Sequence, residues 1–233
     1  MTNFKKGLND GIPIALGYIS VSFTFGLKAV SLGLTWWEAV LISLTNLTSA
    51  GQFAGLDIMI RGSGFWIEML CTQFIINLRY SLMSLSLLQK SDNSLKGIHR
   101  WLTGFGITDE IFVVSTGNEK EISNKYLYGL MLLPILGWTG GTLLGAVAGH
   151  ILPDVVINSL NIAIYGMFLA IIIPPSKKNS AVLKVVTISV LLSCAFKWLP
   201  ILNNVSSGFV IIICTVAAAS VGAILFPVKE EEN

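Results

Sequence analysis

The sequence predicts an all-α, polytopic helical membrane protein with about six to eight transmembrane helices, some of them broken or re-entrant. Three observations predict it. The 233 residues are 53% hydrophobic and 12% charged, with a mean hydropathy of +0.74, whereas a soluble domain is about 25% charged. Runs without any Asp, Glu, Lys or Arg recur at 126–149, 155–176 and 198–228, and a span needs about 20 such residues. Prolines and short polar stretches separate these runs. The net charge of +2 gives no footprint for nucleic acid.

Taken in order, a first helix is expected from Gly11 to Gly33. Lys5 and Lys6 before the apolar 11–27 imitate a signal peptide, but the apolar stretch is too long and no small-residue cleavage site follows. A second segment, 36–60, is interrupted by the small residues Ser49, Ala50 and Gly51. The third covers 64–88. A polar connection from Gln89 to Arg100 leads into the short segment 101–116, which contains Asp109 and Glu110. Segments 126–149, 154–174, 181–199 and 205–227 follow, with breaks expected at Pro153, at Pro174-Pro175 and at Pro200, because the residue before proline is pushed out of the helical region.

Basic residues set the orientation. Lys5/Lys6, Lys90/Lys96/Arg100, Lys120/Lys125 and Lys177/Lys178 are the heaviest groups, and cytoplasmic loops collect such residues. All four fall inside if 36–60 folds back as two half-length helices and 101–116 enters without crossing or lies at the interface. The expectation is then about six full spans with both ends cytoplasmic; seven or eight crossings is the alternative. The whole of 1–233 reads as one transmembrane transporter domain, with repeat halves suggested at 11–88 and 126–199. Pro13-Ile14-Ala15-Leu16-Gly17-Tyr18, followed by Gly26, matches Pro134-Ile135-Leu136-Gly137-Trp138, followed by Gly145. Structural repeats around a midplane site are a common transporter plan.

Polar residues inside apolar segments mark the places where chemistry is expected. Glu68 to Ser84 carries Gln73, Asn77, Arg79 and Tyr80, with Glu68, Thr72 and Arg79 on one helical face and Gln73, Asn77, Tyr80 and Ser84 on another. An arginine at the bilayer centre costs about 2.5–3.5 kcal/mol on insertion scales, and such groups face a partner or a watery cavity. The plainer role is glue between helices. Thr48-Ser49-Ala50-Gly51-Gln52-Phe53 sits near the centre of its segment, where a break exposes backbone N–H groups suited to a carboxylate; a tight small-residue crossing is its plainer role. Thr108-Asp109-Glu110 offers two acids that can take up a proton or pair with Arg79 or Lys28, and it also fits a capped helix start. Lys28 is placed to snorkel. Asn158, Asn161 and Tyr165 form a further polar stripe. Cys71, Cys194 and Cys214 lie in apolar segments without metal-binding spacing, and no enzyme motif occurs, so neither catalysis, nor a metal, nor a cofactor is expected. A His150/Asp154 pair with a serine lacks any supporting geometry.

Three strings now carry a resemblance. Ser49-Ala50-Gly51-Gln52-Phe53, Asn77-Leu78-Arg79-Tyr80 and Thr108-Asp109-Glu110 resemble the signatures of the AzlC family, the large subunits of bacterial branched-chain amino acid exporters. Gly11-Ile12-Pro13 through Gly17-Tyr18, with Phe25-Gly26, fits the same pattern. The polar Asn46, Thr48 and Ser49 depart from the family's apolar-small run. The resemblance implies a multi-pass permease of the bacterial inner membrane that works with a small hydrophobic AzlD-type subunit and exports leucine, isoleucine, valine and analogues. On that reading Ser49, Gly51, Gln52, Gln73, Asn77, Arg79 and Tyr80 are the substrate-binding candidates, and Asp109, Glu110 and Glu68 the proton-coupling candidates. A scaffold or sensor subunit, or a channel-like facilitator for another solute, is the alternative.

Overall fold

A computed structural model describes residues 3–118, 121–148, 172–200 and 204–226, together with 155, 169 and 202. Among them the chain is helical, with no strand beyond a single bridge between Ser91 and Ile122. Its contacts divide it into two compact units, one made of 1–53 and 77–161, the other of 54–76 and 162–233. The expected 154–174 helix, with Asn158, Asn161 and Tyr165, lies almost wholly outside the described residues, as do His150, Pro153 and Asp154.

The first unit is built on two long helices, α1 (Phe4–Ser31) and α7 (Asn124–Ala148). Helix α1 starts at Phe4, seven residues before the expected Gly11. Asn3 caps it by accepting the Lys6 N–H at 2.9 Å, and Lys6 pairs with Asp10 one turn on at 3.3 Å. Hydropathy undervalues such a turn, because charges that pair along a helix face tolerate the polar edge of a bilayer. Small residues bring the two backbones together: a Cβ on Gly11 would stand 2.7 Å from the Leu130 carbonyl oxygen, and one on Gly137 2.7 Å from that of Ala15. Gly7 faces Tyr126 and Leu130, while Gly26 faces Thr142 and Ala146. Early residues of α1 therefore meet early residues of α7, and the helices run parallel. Tyr18 and Trp138, which end the two similar strings, meet edge to face with centroids 5.2 Å apart. Two parallel helices begin at the same end, so Lys5/Lys6 and Lys125 share it.

The connection after α4 (Trp66–Gln89) belongs to that end too. The Asp92 N–H donates to the Ile122 carbonyl at 2.9 Å, and the Ile122 N–H to the Lys90 carbonyl at 3.1 Å. Since α1 leaves this end and α4 returns to it, residues 32–88 make an odd number of net crossings.

Segment 36–60 is broken. Helix α2 (Trp36–Thr45) starts on a capping arrangement in which the Glu38 carboxylate accepts from the Thr35 N–H and hydroxyl at 2.7 and 2.6 Å. It stops at Asn46, whose backbone is extended, and α3 (Ala50–Met59) begins after Ser49 at φ +49°, the left-handed region that a side chain rarely enters. Ten helical residues rise about 15 Å, half a hydrocarbon core.

Helices α5 (Ile98–Gly106) and α6 (Asp109–Thr116) form a hairpin that enters and leaves at one end. At its start His99 Nδ1 lies 2.6 Å from the Tyr128 hydroxyl. Its tip, Thr108, bonds the Tyr18 hydroxyl at 2.6 Å. At its exit Asn118 donates to the Tyr126 hydroxyl at 2.8 Å, and Lys90 donates to the Thr116 carbonyl. Tyr18 lies about 21 Å along α1 from Phe4, so the tip reaches deep between entry and exit. A core of Ile14, Leu87, Ile107, Ile111, Leu127 and Leu130 with their neighbours fastens hairpin, α1, α4 and α7 together.

In the second unit α8 (Ser180–Trp198) and α9 (Ser207–Leu225) pack antiparallel, with Val185 beside Gly222 and Lys184 over the Phe226 ring. Leu199, before Pro200, leaves the helical region as expected. Pro174-Pro175 does not end a helix: residues 172–178 are helical and the break falls at Asn179, which caps α8 through the Ala181 N–H. Membrane helices accommodate proline when freed carbonyls are satisfied locally. Helices α1, α7, α8 and α9 are each long and apolar enough to span a membrane.

Candidate functional site

Two polar clusters meet at Tyr18 and Trp138 in the first unit. The first holds the α2–α3 break. Gln52, 2% exposed, accepts the Trp138 indole N–H at 2.8 Å and donates to Ser43 at 3.0 Å. Ser43 and Thr142 share a hydrogen bond of 2.7 Å, and Thr142 donates to the Trp138 carbonyl at 3.1 Å. The circuit exists because α2, the first turn of α3 and α7 each contribute a polar side chain at one level. Gly51 opens α3 with its N–H on the Thr48 carbonyl at 3.3 Å, and Phe53 bonds the Ser49 carbonyl at 3.1 Å. The hydroxyl oxygens of Thr48 and Ser49 are buried with no hydrogen-bond partner among the described residues, a costly condition for a polar group.

The second cluster sits where α4 passes the hairpin tip. Arg79 pairs with Asp109 at 2.6 Å and donates to the Tyr80 hydroxyl at 3.2 Å. Their side chains remain 44% and 36% exposed, so this pair is not sealed. Thr108 caps α6, accepting the Ile111 N–H at 3.4 Å. The Tyr18 hydroxyl touches both Thr108, at 2.6 Å, and the Glu110 carboxylate, at 2.5 Å. The capped helix start and the pairing with Arg79 are therefore both present. Lys28 instead lies over the Phe53 ring, 5.6 Å from its centroid.

Of the expected site residues, the structure gathers Ser49, Gly51 and Gln52 at the break, and Arg79, Tyr80, Asp109 and Glu110 at the tip. Asn77 stands one turn before Tyr80 on α4. Glu68 and Gln73 stand in the second unit. Glu68, 3% exposed, accepts from Arg61 at 2.6 Å and from the Gly208 N–H in the first turn of α9 at 2.8 Å. Gln73 lies against Gly55, with Met69 as its other neighbour. Tyr18, Trp138 and Ser43 are absent from the expected site, although Tyr18 stands in a string that carries the family resemblance.

A family model described as AzlC protein matches residues 13–152, which include the α2–α3 break, the α4 polar string and the hairpin tip. A membrane protein of Archaeoglobus fulgidus is 36% identical over 176 residues, covering 75% of this chain and 76% of its own length. The inner membrane protein YgaZ of Escherichia coli is 33% identical over 150 residues, 63% of this chain and 61% of that protein. A Helicobacter pylori membrane protein is 25% identical over 159 residues, 64% of this chain and 67% of its own. No solved structure matches the chain.

Proposed function

This chain belongs to the AzlC family of membrane proteins, and from that we infer that it is the large subunit of a secondary transporter exporting branched-chain amino acids from the bacterial cell, across the inner membrane and with a small hydrophobic AzlD-type subunit. The observation that carries the reading is the Arg79–Asp109 pair, still accessible beside a hairpin tip that meets α1 at Tyr18, about 21 Å along that helix. A guanidinium kept there at a cost of about 2.5–3.5 kcal/mol needs a reason, and a zwitterionic substrate supplies one.

On this reading the substrate carboxylate competes with Asp109 for Arg79 or meets the N–H groups of the α3 start. Its ammonium meets Asn77, Tyr80 or a released acid, while its branched side chain rests on apolar walls. The orphan hydroxyls of Thr48 and Ser49 are then ready partners. Driving force is adequate in size: one charge moving through 100 mV is worth about 2.3 kcal/mol, against about 1.4 kcal/mol per tenfold gradient, so one proton sustains roughly a fifty-fold gradient.

The test is efflux of labelled leucine, isoleucine and valine from cells carrying both chains, this chain alone or the small subunit alone, comparing Arg79→Ala with the parent. The expected result is efflux that needs both chains and falls sharply in the variant. Undiminished efflux by the small subunit alone makes this chain a scaffold and removes the reading.

A further inference from the structure

The three acids expected to couple protons are not equivalent. Glu68 is held by Arg61 and the α9 N-terminus, and Asp109 by Arg79. Glu110 alone meets a neutral partner, the Tyr18 hydroxyl at 2.5 Å, and among the described residues no cation forms an ion pair with it.

Hydrogen counting makes that contact informative. Tyr18 lies within bonding distance of both Glu110 and Thr108, but its hydroxyl has one hydrogen to give. With Glu110 ionised, Tyr18 donates to the carboxylate and Thr108 donates to Tyr18. With Glu110 protonated, the acid donates to Tyr18, whose hydrogen turns to Thr108. Thr108 Oγ1 keeps the Ile111 N–H that caps α6 in both states, and in the second it also accepts from Tyr18, filling both lone pairs. Both states keep all three groups in contact, so a proton can arrive without breaking the hairpin from α1.

We propose that Glu110 is the proton-carrying acid of this transporter and that Tyr18 and Thr108 are its positioning residues, forming a three-oxygen chain that reverses direction when the proton binds. The inference rests on the transporter reading and assigns its coupling group. The ionisable groups near Glu110 are Tyr18 from α1, Tyr80 from α4 and its neighbour Asp109, with Arg79 beyond them as the ion-pair partner of Asp109; α7 presents Trp138 to the Tyr18 ring. Arg79 and Asp109 pair with one another, which leaves Glu110 as the acid of this cluster without a cationic partner among the described residues. A carboxyl gaining one proton consumes no other reagent, and the same proton leaves on the opposite stroke.

The test uses the full chain co-reconstituted in liposomes with its small subunit, with labelled leucine as probe in two modes: accumulation driven by a pH gradient, and counterflow, which needs none. In Glu110→Gln, driven accumulation is expected to fall roughly tenfold more than counterflow, whereas Asp109→Asn lowers both alike. An infrared pH titration follows the protonated carboxyl directly. Its band should vanish in Glu110→Gln, persist in Asp109→Asn, and shift its midpoint by about one pH unit in Tyr18→Phe. Driven accumulation by Glu110→Gln at the parent's level overturns the proposal, and so does a band that follows Asp109 instead. If Glu110→Gln fails to fold, an unshifted midpoint in Tyr18→Phe overturns it. A parent that moves no leucine in either mode rejects the transporter reading, while the infrared titration still decides which acid takes the proton.

Discussion

Trp138 donates its indole N–H to the amide oxygen of Gln52 across 2.8 Å, with both side chains 2% exposed. Through this bond a loop-side residue of the α2–α3 break is tied to the middle of α7. Gln52 continues the connection to Ser43, which meets Thr142 one turn beyond Trp138. The break is thereby held by a closed ring of side-chain bonds in an interior where an unmade bond is expensive.

Trp138→Phe should show that expense. Phenylalanine keeps an aromatic ring but gives up part of the indole's volume as well as its N–H, and the buried Gln52 oxygen loses its donor, which costs about 1–3 kcal/mol for the bond alone. Adding Gln52→Leu removes the stranded group, so the double variant should lose less than the sum of the singles. Thermal unfolding of the detergent-solubilised protein, followed by circular dichroism, is the measurement. A Trp138→Phe variant as stable as the parent would mean the bond contributes nothing.

Glycines give a sharper contrast. An added Cβ at Gly26 or Gly145 would run into the backbone of the facing helix, at Thr142 and Phe23 respectively, whereas Gly17 and Gly140 have nothing within 4 Å. Backbone has no rotamer with which to retreat, so Gly26→Ala and Gly145→Ala should each cost about 1–3 kcal/mol. Gly17→Ala and Gly140→Ala should be neutral or gain up to about 1 kcal/mol from helix propensity. All four are read by the same melting experiment, and equal effects at the two classes of site would refute the parallel α1–α7 packing.

What the sequence disclosed follows from the range of each interaction. The break near Ser49 was legible because the small residues Ser49, Ala50 and Gly51 interrupt an otherwise apolar run. The hairpin was legible because 101–116 is too short to cross and its ends are basic. Tyr18 was harder: its bonds to Thr108 and Glu110 close over 90 and 92 residues, and no periodicity reports such a pairing. Glu68 misled for a similar reason. Its helical face, shared with Thr72 and Arg79, does not name its partners, which are Arg61, seven residues back, and Gly208, 140 residues on. The start of α1 was misjudged because hydropathy scores Lys6 and Asp10 separately, while the helix pairs them.

Topology can be read by chemistry from outside. Asn93 and Glu121 lie at the end where α1 and α7 begin, and Leu32 caps the far end of α1. Basic residues gather at the first end, so it should face the cytoplasm. In a background without Cys71, Cys194 and Cys214, an impermeant maleimide applied to intact cells should label Leu32→Cys, and label Asn93→Cys and Glu121→Cys only after lysis. Labelling of Asn93→Cys and Leu32→Cys from the same side would contradict the odd number of crossings between them.

The Glu68 carboxylate is buried against Arg61 and the first turn of α9. Removing one partner of a fully buried ion pair costs about 3–5 kcal/mol, because the remaining charge has nowhere to go. Arg61 is 27% exposed and water screens part of the field, so Arg61→Ala should cost about 1–3 kcal/mol. Glu68→Gln keeps an acceptor for the Gly208 N–H and discards the charge, so Arg61→Ala in that background should cost much less than in the parent. The difference between the two Arg61→Ala losses, read from melting curves, measures the charge pairing itself; equal losses would show that Arg61 acts only through its packing over the Phe65 ring, 4.5 Å away.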